Sequence, residues 1–502
     1  MADDPGRGDR GDSEDLAKPV PGRRTRAPDR WRTSIRFSSG AAGGGYAFRP
    51  GEMVVEHGAL DVLRGIVNAD LDARAVGNTV TLVTGLADPV GLSANVRSRG
   101  FRAQPNHVVF ATQDHSVWGN PAAFGNPAAF GNPAAFGNPA AFGNPAAFGN
   151  PAAFGNPAAF GNPAAFGNPA AFGHGHGCTC CPPVIGCGCH GVPTVSTRRA
   201  PHRSAAKRAP YDEALMRVGG GAPDPARVVV LDTGLAPDDL CGDITGVAVR
   251  PAEPWGPTKL DESLPGPFPY TATDNHDHPD ENNDQWLDPV SGHGTFIAGL
   301  ICRLAPGAHV ELGRVLETTG EGNDADIAFR ITQLASKPPA VLCLSLSCYT
   351  ELDAPPLALA SAIAELQQLG TVVVASAGND SHCRVAWPAA LPGVVSVGAL
   401  GPEGPAPFTN FGSWVRACAP GLDIVSDFFE GVDDDDDGVL DGGSFWGWAS
   451  WSGTSFAAPI VAAAITREIL LYGLAPDAAA ERVVDDERLF RFPGLGTVVN
   501  LH

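Results

Sequence analysis

Long hydrophobic runs, an apolar leader and an excess of basic residues are all missing from this sequence. In its 502 residues no apolar run approaches the roughly 20 residues that a membrane-spanning helix needs. Residues 1–37 are rich in Asp, Arg, Gly and Pro and lack the hydrophobic core of a secretory signal. The 34 Lys and Arg stand against 55 Asp and Glu, and the net charge of −21 argues against nucleic-acid binding. We therefore expect no membrane partner, no nucleic-acid partner, and a cytoplasmic chain unless another route exports it.

The eleven cysteines fall into two groups, and neither predicts a disulfide framework. One group is crowded between residues 178 and 189, and the other is scattered from residue 241 onwards. Several scattered cysteines, such as Cys343 in V-L-C-L-S-L, lie in apolar stretches where a buried thiol is expected. Because no secretory signal is visible, a disulfide framework is not assumed, and the redox state of the cysteines stays open.

Changes in composition divide the chain into five segments, since 502 residues exceed one ordinary domain. The predicted segments are a disordered charged tail (1–48), a small α+β domain (49–115), a repeat spacer (116–172), a Cys/His-rich tract with a basic linker (173–226) and a large α/β domain (227–502). In the small domain, strand patterns such as Met53–Val55 alternate with two amphipathic segments, Ala59–Val67 and Pro89–Arg97.

The spacer repeats Gly-Asn-Pro-Ala-Ala-Phe without variation from Gly119 to Phe172. Pro and Gly in every copy oppose helix and regular sheet, and the period is too short for a helical solenoid. We interpret it as an extended or turn-rich spacer; a partner-binding or self-associating role is the alternative.

The tract that follows combines soft metal ligands in a short space. Its histidines and cysteines could bind zinc or copper, but their spacing is Cys-x-Cys rather than the paired Cys-x-x-Cys of structural zinc modules. Soft-metal binding at residues 174–190 is therefore one interpretation, and a redox-labile or unstructured tract is the other. The candidate ligands are His174, His176, Cys178, Cys180, Cys181, Cys187, Cys189 and His190.

The C-terminal segment alternates β-branched apolar runs with helical patterns. Strands are predicted at Val228–Asp232, Val310–Leu316, Val341–Leu346, Thr371–Ala377 and Val394–Ala399, and helices at Gly294–Leu304, Asp324–Ala335, Leu357–Leu369 and Ser455–Tyr472. Near-continuous apolar strands separated by helices indicate a parallel sheet with both faces covered. The predicted fold class is α/β, a doubly wound, mostly parallel sheet with helices on both faces. In such folds active sites lie at the carboxyl ends of strands.

Four short motifs in this segment carry residues that acyl-transfer chemistry needs. They are V-L-D-T-G with Asp232, S-G-H-G-T with His293, A-S-A-G-N-D with Asn379 and S-G-T-S-F-A-A-P with Ser455. Each motif alone has an ordinary structural explanation, such as a turn or a helix N-cap. Together, and in the order Asp…His…Ser, they predict one active site. Ser455 would open an apolar helix, so the positive end of the helix dipole would face developing negative charge.

These motifs make the segment resemble the subtilisin (subtilase) family of serine peptidases, and A-P-F-T-N-F-G-S-W-V-R-A-C-A-P-G at 406–421 resembles a further family segment. The resemblance implies an endopeptidase that needs no cofactor for its chemistry, acts on proteins or peptides through an acyl-enzyme, and is a monomer. Ser455 would be the nucleophile, His293 the general base and then acid, and Asp232 the group that orients the imidazole. Asn379 and the backbone N–H of Ser455 would bind the oxyanion.

The resemblance also implies where substrate binds. An extended peptide would lie between two edges, the stretch 317–322 and the stretch formed by Ser345, Leu346 and Ser347. The P1 pocket would be lined by Ser376, Ala377 and Gly378. Ser347 stands where the family usually has Gly, and Phe296 where many relatives have a second His. The end of the small domain, Gln104–Val109, resembles the closing strand of the family's propeptide, which implies a zymogen. We predict self-cleavage near 112–115 or in the basic linker 198–210.

Two acidic loops precede the His and Ser motifs. Their oxygen side chains alternate as they do around calcium, at Asp280, Asn282, Asp284 and Asp288 and again at Asp433, Asp435, Asp437 and Asp441. A structural calcium at each loop is one interpretation, and a solvated acidic loop is the other.

Two other functions remain open alternatives. The chain could be a scaffold that displays the repeats and the Cys/His tract, although a scaffold needs none of the four site residues. It could also be a serine esterase, but no Gly-x-Ser-x-Gly elbow surrounds Ser455.

Overall fold

A computed structural model describes residues 35–38, 45–111, 204–205, 226–236, 249–251, 276–281, 287–432 and 445–499. Several sequence predictions lie outside these residues: the hexapeptide repeats, the Cys/His tract at 174–190, the acidic loop from Asp433 to Asp441, and the proposed ligands Asn282 and Asp284.

Strands and helices are interspersed along the described parts of the chain. The strands are β1 (Arg36–Ser38), β2 (Tyr46–Glu56), β3 (Asp72–Val76), β4 (Val80–Thr84), β5 (Ala103–Ala111), β6 (Ser204–Ala205), β7 (Arg227–Asp232), β8 (Val249–Pro251), β9 (His309–Arg314), β10 (Glu321–Asn323), β11 (Val341–Leu344), β12 (Leu346–Ser347), β13 (Val372–Ser376), β14 (Val395–Gly401), β15 (Gly404–Pro405), β16 (Ala417–Pro420), β17 (Ile424–Val432), β18 (Phe445–Trp451), β19 (Arg491–Phe492) and β20 (Gly496–Val498). The α-helices are α1 (Leu60–Val67), α2 (Pro89–Ser98), α3 (His293–Leu304), α4 (Asp324–Leu334), α5 (Leu357–Gln368), α6 (Thr454–Tyr472) and α7 (Pro476–Ala480).

The N-terminal unit, residues 45–111, is an antiparallel sheet with two helices. Its strands lie in the order β5-β2-β4-β3, and β5 is buried at every position. Alternate residues of β2 face opposite sides, as a strand's period of two requires. Met53 and Val55 pack with Leu63 of α1, whereas Val54 joins the apolar cluster that contains α4 and α5. One face of this sheet is therefore covered by the C-terminal domain.

The structure corrects the predicted boundary of this unit. Strand β2 begins at Tyr46, and β1 pairs with it antiparallel, inside the segment 1–48 that was predicted to be a disordered tail. Ile35 and Ala47 are buried against Phe110, so burial of apolar side chains holds these residues in place. The sequence prediction also missed β3, because D-A-R-A-V carries little of the β-branched signal.

The large sheet confirms the predicted α/β class. Strands β8, β9, β7, β11, β13, β14, β16 and β20 run parallel, with short antiparallel strands β15 and β19 added. Val228 and Val230 of β7 belong to the apolar cluster with α3 and α6, while Val229 and Leu231 belong to the cluster with α4 and α5. Both faces of the sheet are covered, which explains the continuous apolar strands.

Helix α6 lies at the centre of this domain and corrects one statement drawn from the sequence. Its 19 residues are long and apolar enough to cross a membrane by length and composition, although no apolar run of that length was expected. In the structure 72% of the apolar window is buried inside the protein. The helix is hydrophobic around its circumference because it packs between a sheet and other helices.

Two further features of the structure were not predicted from the sequence. Residues 204–205, in the predicted linker, form β6 and pair antiparallel with β18 of the C-terminal domain. Four cysteines of the described part of the chain are buried free thiols, as predicted for Cys343, whose pKa burial raises to about 12. Cys383 is disulfide-bonded, which answers for this residue the redox question that the sequence left open.

Candidate active site

Asp232 and His293 meet at the carboxyl end of the large sheet. Asp232 is the last residue of β7 and His293 the first of α3, and both side chains are fully buried. Nδ1 of His293 is 2.6 Å from Oδ1 of Asp232. The N–H of Thr233 donates to the same oxygen at 2.8 Å, so the carboxylate is held in place by its own backbone. A carboxylate only accepts hydrogen bonds, which assigns the ring hydrogen to Nδ1 and leaves Nε2 as the basic nitrogen.

Ser455 lies in the first turn of α6, next to this pair. The ring of Phe456, the following residue, is 5.4 Å from the imidazole of His293, and Trp451 contacts the same ring edge-on at 5.5 Å. Oγ of Ser455 lies 3.4 Å from the carbonyl oxygen of Ser345. Among the residues that the structure describes, Nε2 of His293 is buried without a hydrogen-bond partner. Hydrogen bonds between a base and its nucleophile are often long before substrate binds.

Asn379 follows β13 and is held by the first residue of α6. Its Oδ1 accepts hydrogen bonds from the N–H and the hydroxyl of Thr454, at 2.9 and 2.8 Å. This pairing makes Nδ2 the end of the amide that can donate elsewhere. The Thr454 hydroxyl also accepts the N–H of Gly378 at 3.1 Å. Thr454, the residue before the nucleophile, thus ties the predicted oxyanion donor to the helix turn that carries Ser455, a role that sequence reasoning did not identify.

The segment predicted to line the P1 pocket is buried and held by Asn410. Gly378 has φ +101°, a conformation that favours glycine, and a Cβ there would lie 2.4 Å from the Asn410 amide nitrogen. Asn410 Nδ2 donates to the carbonyl of Ala377 at 2.9 Å, and its Oδ1 accepts the N–H of Asp380 at 2.9 Å. Ser376 ends β13 and is fully buried. The asparagine lies in the 406–421 stretch, which carried a family resemblance but no assigned role.

Strand β5 of the N-terminal unit lies between the two edges predicted to bind substrate. It pairs antiparallel with β10 on one side and with β12 on the other. The N–H of Ala111 donates to the carbonyl of Gly320 at 2.8 Å. Leu346 and Ser347, predicted to contact substrate, are thus engaged by residues 110–111 of the same chain.

The described part of the first acidic loop is organised by protein groups. Oδ2 of buried Asp288 accepts hydrogen bonds from the Thr318 hydroxyl at 2.6 Å and from the Glu281 N–H at 2.9 Å. The Arg314 guanidinium binds the Glu281 carboxylate and holds the pKa of that carboxyl below its usual value, against the effect of burial. Within the described residues no group of three or more His, Cys, Asp or Glu side chains could hold a metal ion. Calcium at Asp280 and its neighbours stays a prediction.

The C-terminal domain is similar in sequence to known serine proteinases. Residues 226–473 match the model of the Subtilase family. The chain is 34% identical over 192 residues to a thermophilic serine proteinase of Bacillus sp. (strain AK1), covering 36% of this chain and 43% of that protein. It is 30% identical over 192 residues to thermitase of Thermoactinomyces vulgaris, covering 36% and 62% respectively. The chain thus spans about half the length of these curated relatives.

The solved structure of fervidolysin from Fervidobacterium pennivorans, a keratinolytic enzyme related to subtilisin, is similar in fold. It has a TM-score of 0.51 and 17% identity, and the match covers 90% of this chain and 60% of that one. At this identity the likeness concerns the fold, and the family match concerns the C-terminal domain. Residues 226–473 of this chain therefore belong to the subtilase family.

Proposed function

We propose that this protein is a serine endopeptidase made as a zymogen. The observation that carries the proposal is the buried Asp232–His293 pair, 2.6 Å apart, packed against the helix turn that presents Ser455. Asn379 is held by that same turn through Thr454. A nucleophile, a base, an orienting acid and an oxyanion donor in one place are what acyl transfer needs.

The reaction would proceed through an acyl-enzyme. Oγ of Ser455 attacks the carbonyl carbon of the scissile peptide while its proton moves to Nε2 of His293. Nδ2 of Asn379 and the N–H of Ser455 donate to the oxyanion that forms. The C–N bond then breaks as His293 returns the proton to the leaving amine, and water repeats the sequence to release the acid. Asp232 keeps the imidazole in the tautomer that both steps require.

The zymogen part of the proposal is supported by the position of β5. A strand added between β10 and β12 occupies the surface on which an extended substrate would bind, using the same backbone hydrogen bonds. Val109 and Ala111 also enter the apolar cluster of the C-terminal domain. While the N-terminal unit is docked in this way, another peptide has no access to these edges.

Polar contacts reinforce the docking. The two terminal guanidinium nitrogens of Arg97 donate to the Glu351 carboxylate, at 2.8 and 3.0 Å. Gln104 accepts the N–H of Leu357, the first residue of α5, and Asn106 accepts the N–H of Ala325 in the first turn of α4. The first N–H groups of a helix have no partner within the helix, so the N-terminal unit caps both helices.

The register of β5 points to one peptide bond as the first cleavage site. The pairing with β12 joins Ala111 to Leu346. Strand β5 ends at Ala111, and Ser345 directly precedes its partner Leu346, so the chain leaves β5 beside Ser345. The carbonyl of Ser345 is 3.4 Å from Oγ of Ser455. We therefore propose that the enzyme first cuts its own chain after Thr112.

Mass spectrometry of the purified chain and of a Ser455→Ala variant tests self-cleavage. We expect the unmodified chain to yield two fragments that separate after residue 112, and the variant to remain intact. Cleavage only within the linker 198–210 would contradict the register argument. Intact mass for both proteins would contradict self-processing.

Labelling with a fluorophosphonate probe tests the peptidase itself. We expect one adduct, mapped to Ser455, and none in the Ser455→Ala variant. The probe is added after the N-terminal unit has been removed by limited proteolysis, because the docked strand would slow labelling. Failure to label Ser455 in the processed protein would refute the proposed chemistry.

A further inference from the structure

We propose that Asp277, together with Thr233, is a positioning residue that fixes the orientation of His293 toward Ser455. The inference rests on the proposed peptidase function and adds residues that the four sequence motifs do not assign. Asp277 precedes the first acidic loop, and its side chain is fully buried.

The two residues that flank His293 are both glycines held by hydrogen bonds. The N–H of Gly292 donates to Oδ2 of Asp277 at 2.8 Å, and the N–H of Gly294 donates to Oγ1 of Thr233 at 3.0 Å. The Thr233 hydroxyl donates to that same Oδ2 of Asp277. Asp277 and Thr233 thereby form a bridge that reaches the backbone on both sides of the imidazole.

The bridge acts as the N-terminal cap of α3. The N-cap residue of this helix is Gly292, which has no side chain to accept the first N–H groups. Helices usually satisfy these groups with a nearby Ser, Thr, Asp or Asn. Here the acceptors come from two distant parts of the chain, so capping the helix also fixes where its first residue lies.

Glycine is required at both flanking positions by close packing. A Cβ at residue 294 would lie 2.3 Å from the carbonyl oxygen of Gly234, and a Cβ at residue 292 would lie 2.1 Å from the Phe428 ring. Gly292 also has φ +82°. Because glycine restrains its backbone least of all residues, the orientation of this stretch depends on external hydrogen bonds.

Asp277 is itself tied to the turn that carries the catalytic acid. Its N–H donates to the carbonyl of Leu235 at 2.8 Å, three residues after Asp232. Thr233 is next to Asp232 and donates its N–H to that carboxylate. One connected network therefore holds the acid through its neighbouring residues and the base through its flanking glycines, which fixes both partners of the 2.6 Å pair in one frame.

The environment of Asp277 is that of a functional group more than of a structural one. Burial raises the pKa of this carboxyl well above its ordinary value, and the nearby charge of Asp232 raises it further, while Thr233, Arg314 and Gly292 lower it. Oδ1 has no hydrogen-bond partner among the described residues. A buried acid with an unsatisfied oxygen destabilises a fold, and such groups are concentrated at functional sites.

Paired substitutions test the bridge in the processed enzyme. Asp277→Ala removes the acceptor, whereas Asp277→Asn keeps an oxygen that can accept both hydrogen bonds. Thr233→Val and Thr233→Ser form a second pair, and Thr466→Val is the control, since that buried hydroxyl donates only to Ala462 within α6. Rates are divided by the concentration of active sites, titrated with the fluorophosphonate probe, so that misfolded protein does not count.

We expect Asp277→Ala and Thr233→Val to lower kcat about 10- to 100-fold with KM unchanged, because small misplacement of a base costs this much. Asp277→Asn, Thr233→Ser and Thr466→Val should retain most of the activity. If Asp277→Ala and Thr233→Val lower only the thermal stability, or change only KM, the inference is wrong. If the kcat of Asp277→Asn falls as far as that of Asp277→Ala, the charge of Asp277 matters rather than its hydrogen bonds, and the inference is again wrong. An unmodified enzyme that neither cleaves nor labels refutes the proposed function instead.

Discussion

The N-terminal unit and the subtilase domain bury their sheets in different ways. The large sheet is covered on both faces by helices of its own domain. The antiparallel sheet covers one face with its own α1 and α2, but its other face packs on α4 and α5 of the subtilase domain. A small sheet that shares a core with a larger domain depends on that domain for part of its stability. Part of the stability of the N-terminal unit therefore comes from contacts with α4 and α5, which the proposed self-cleavage would allow it to lose.

Asp232→Asn gives the largest expected effect and should act on the subtilase domain alone. The amide can present a hydrogen to Nδ1 of His293, which favours the wrong tautomer of the imidazole. We expect kcat to fall about 10⁴-fold. Steady-state kinetics of the processed enzyme measure this, and the affinity for the added N-terminal unit should stay unchanged. A variant with near-normal kcat would remove Asp232 from the mechanism.

Val109→Ala should separate docking from catalysis. Val109 is fully buried in the cluster shared with the subtilase domain, and losing its methyl groups should cost about 2 kcal/mol of docking free energy. The measurement is the inhibition constant of the separate N-terminal unit against processed enzyme, with kcat as the internal reference. Thr84→Ala is the control, because its hydroxyl bonds only Asp72 within the same unit and on its exposed surface. Equal inhibition constants for the two variants would contradict the shared core.

The pH dependence of docking should contain two opposing contributions. Burial raises the pKa of Glu321 in β10 to about 7 from 4.5, so docking favours its protonated form and weakens as pH rises between these values. Burial and Arg97 lower the pKa of His107 in β5 to about 3 from 6.5, so docking favours the neutral ring and weakens as pH falls through this range. The two ranges overlap from pH 4.5 to 6.5, where the opposing contributions offset each other, so docking should be strongest over that interval and weaker on either side.

Inhibition constants measured from acid to alkaline pH test this, using one variant for each group. Glu321→Gln should abolish the loss of affinity on the alkaline side. His107→Gln should abolish the loss on the acid side, since a Gln side chain can still accept the N–H of Glu351 that Nε2 accepts. Unchanged profiles in both variants would show that neither group is linked to docking.

The smallest expected effect concerns the Arg74–Asp326 ion pair, one of the ion pairs between the two parts of the chain. Arg74 lies 2.8 Å from Asp326, with both side chains about one-fifth exposed. Arg74→Ala should weaken docking by about 1 kcal/mol or less, and less still in high salt. The inhibition constant at two salt concentrations measures it. A loss as large as that of Val109→Ala would mean that charge, rather than the shared core, holds the unit.

The bounds of strands and helices were predicted well wherever the local sequence pattern is strong. The buried strands around Val228, Val341 and Val372 and the helices beginning near His293 and Ser455 matched within about two residues, because β-branched runs and glycine or proline boundaries act locally. The signal failed at β1 and β3, where pairing with a neighbouring strand rather than residue type makes the strand. The number of strands in the N-terminal unit was therefore underestimated.

By itself the sequence determined the order and identity of Asp232, His293, Asn379 and Ser455, since each sits in a short motif whose residues act on their immediate neighbours. Only the tertiary structure decided which groups hold those four residues. Asp277, 16 residues before His293, and Asn410, 31 residues after Asn379, bond to backbone groups, and backbone groups leave no residue-specific trace in a sequence. The fold likewise decided that β5 lies in the substrate edges, because strand pairing depends on which edges come together in space.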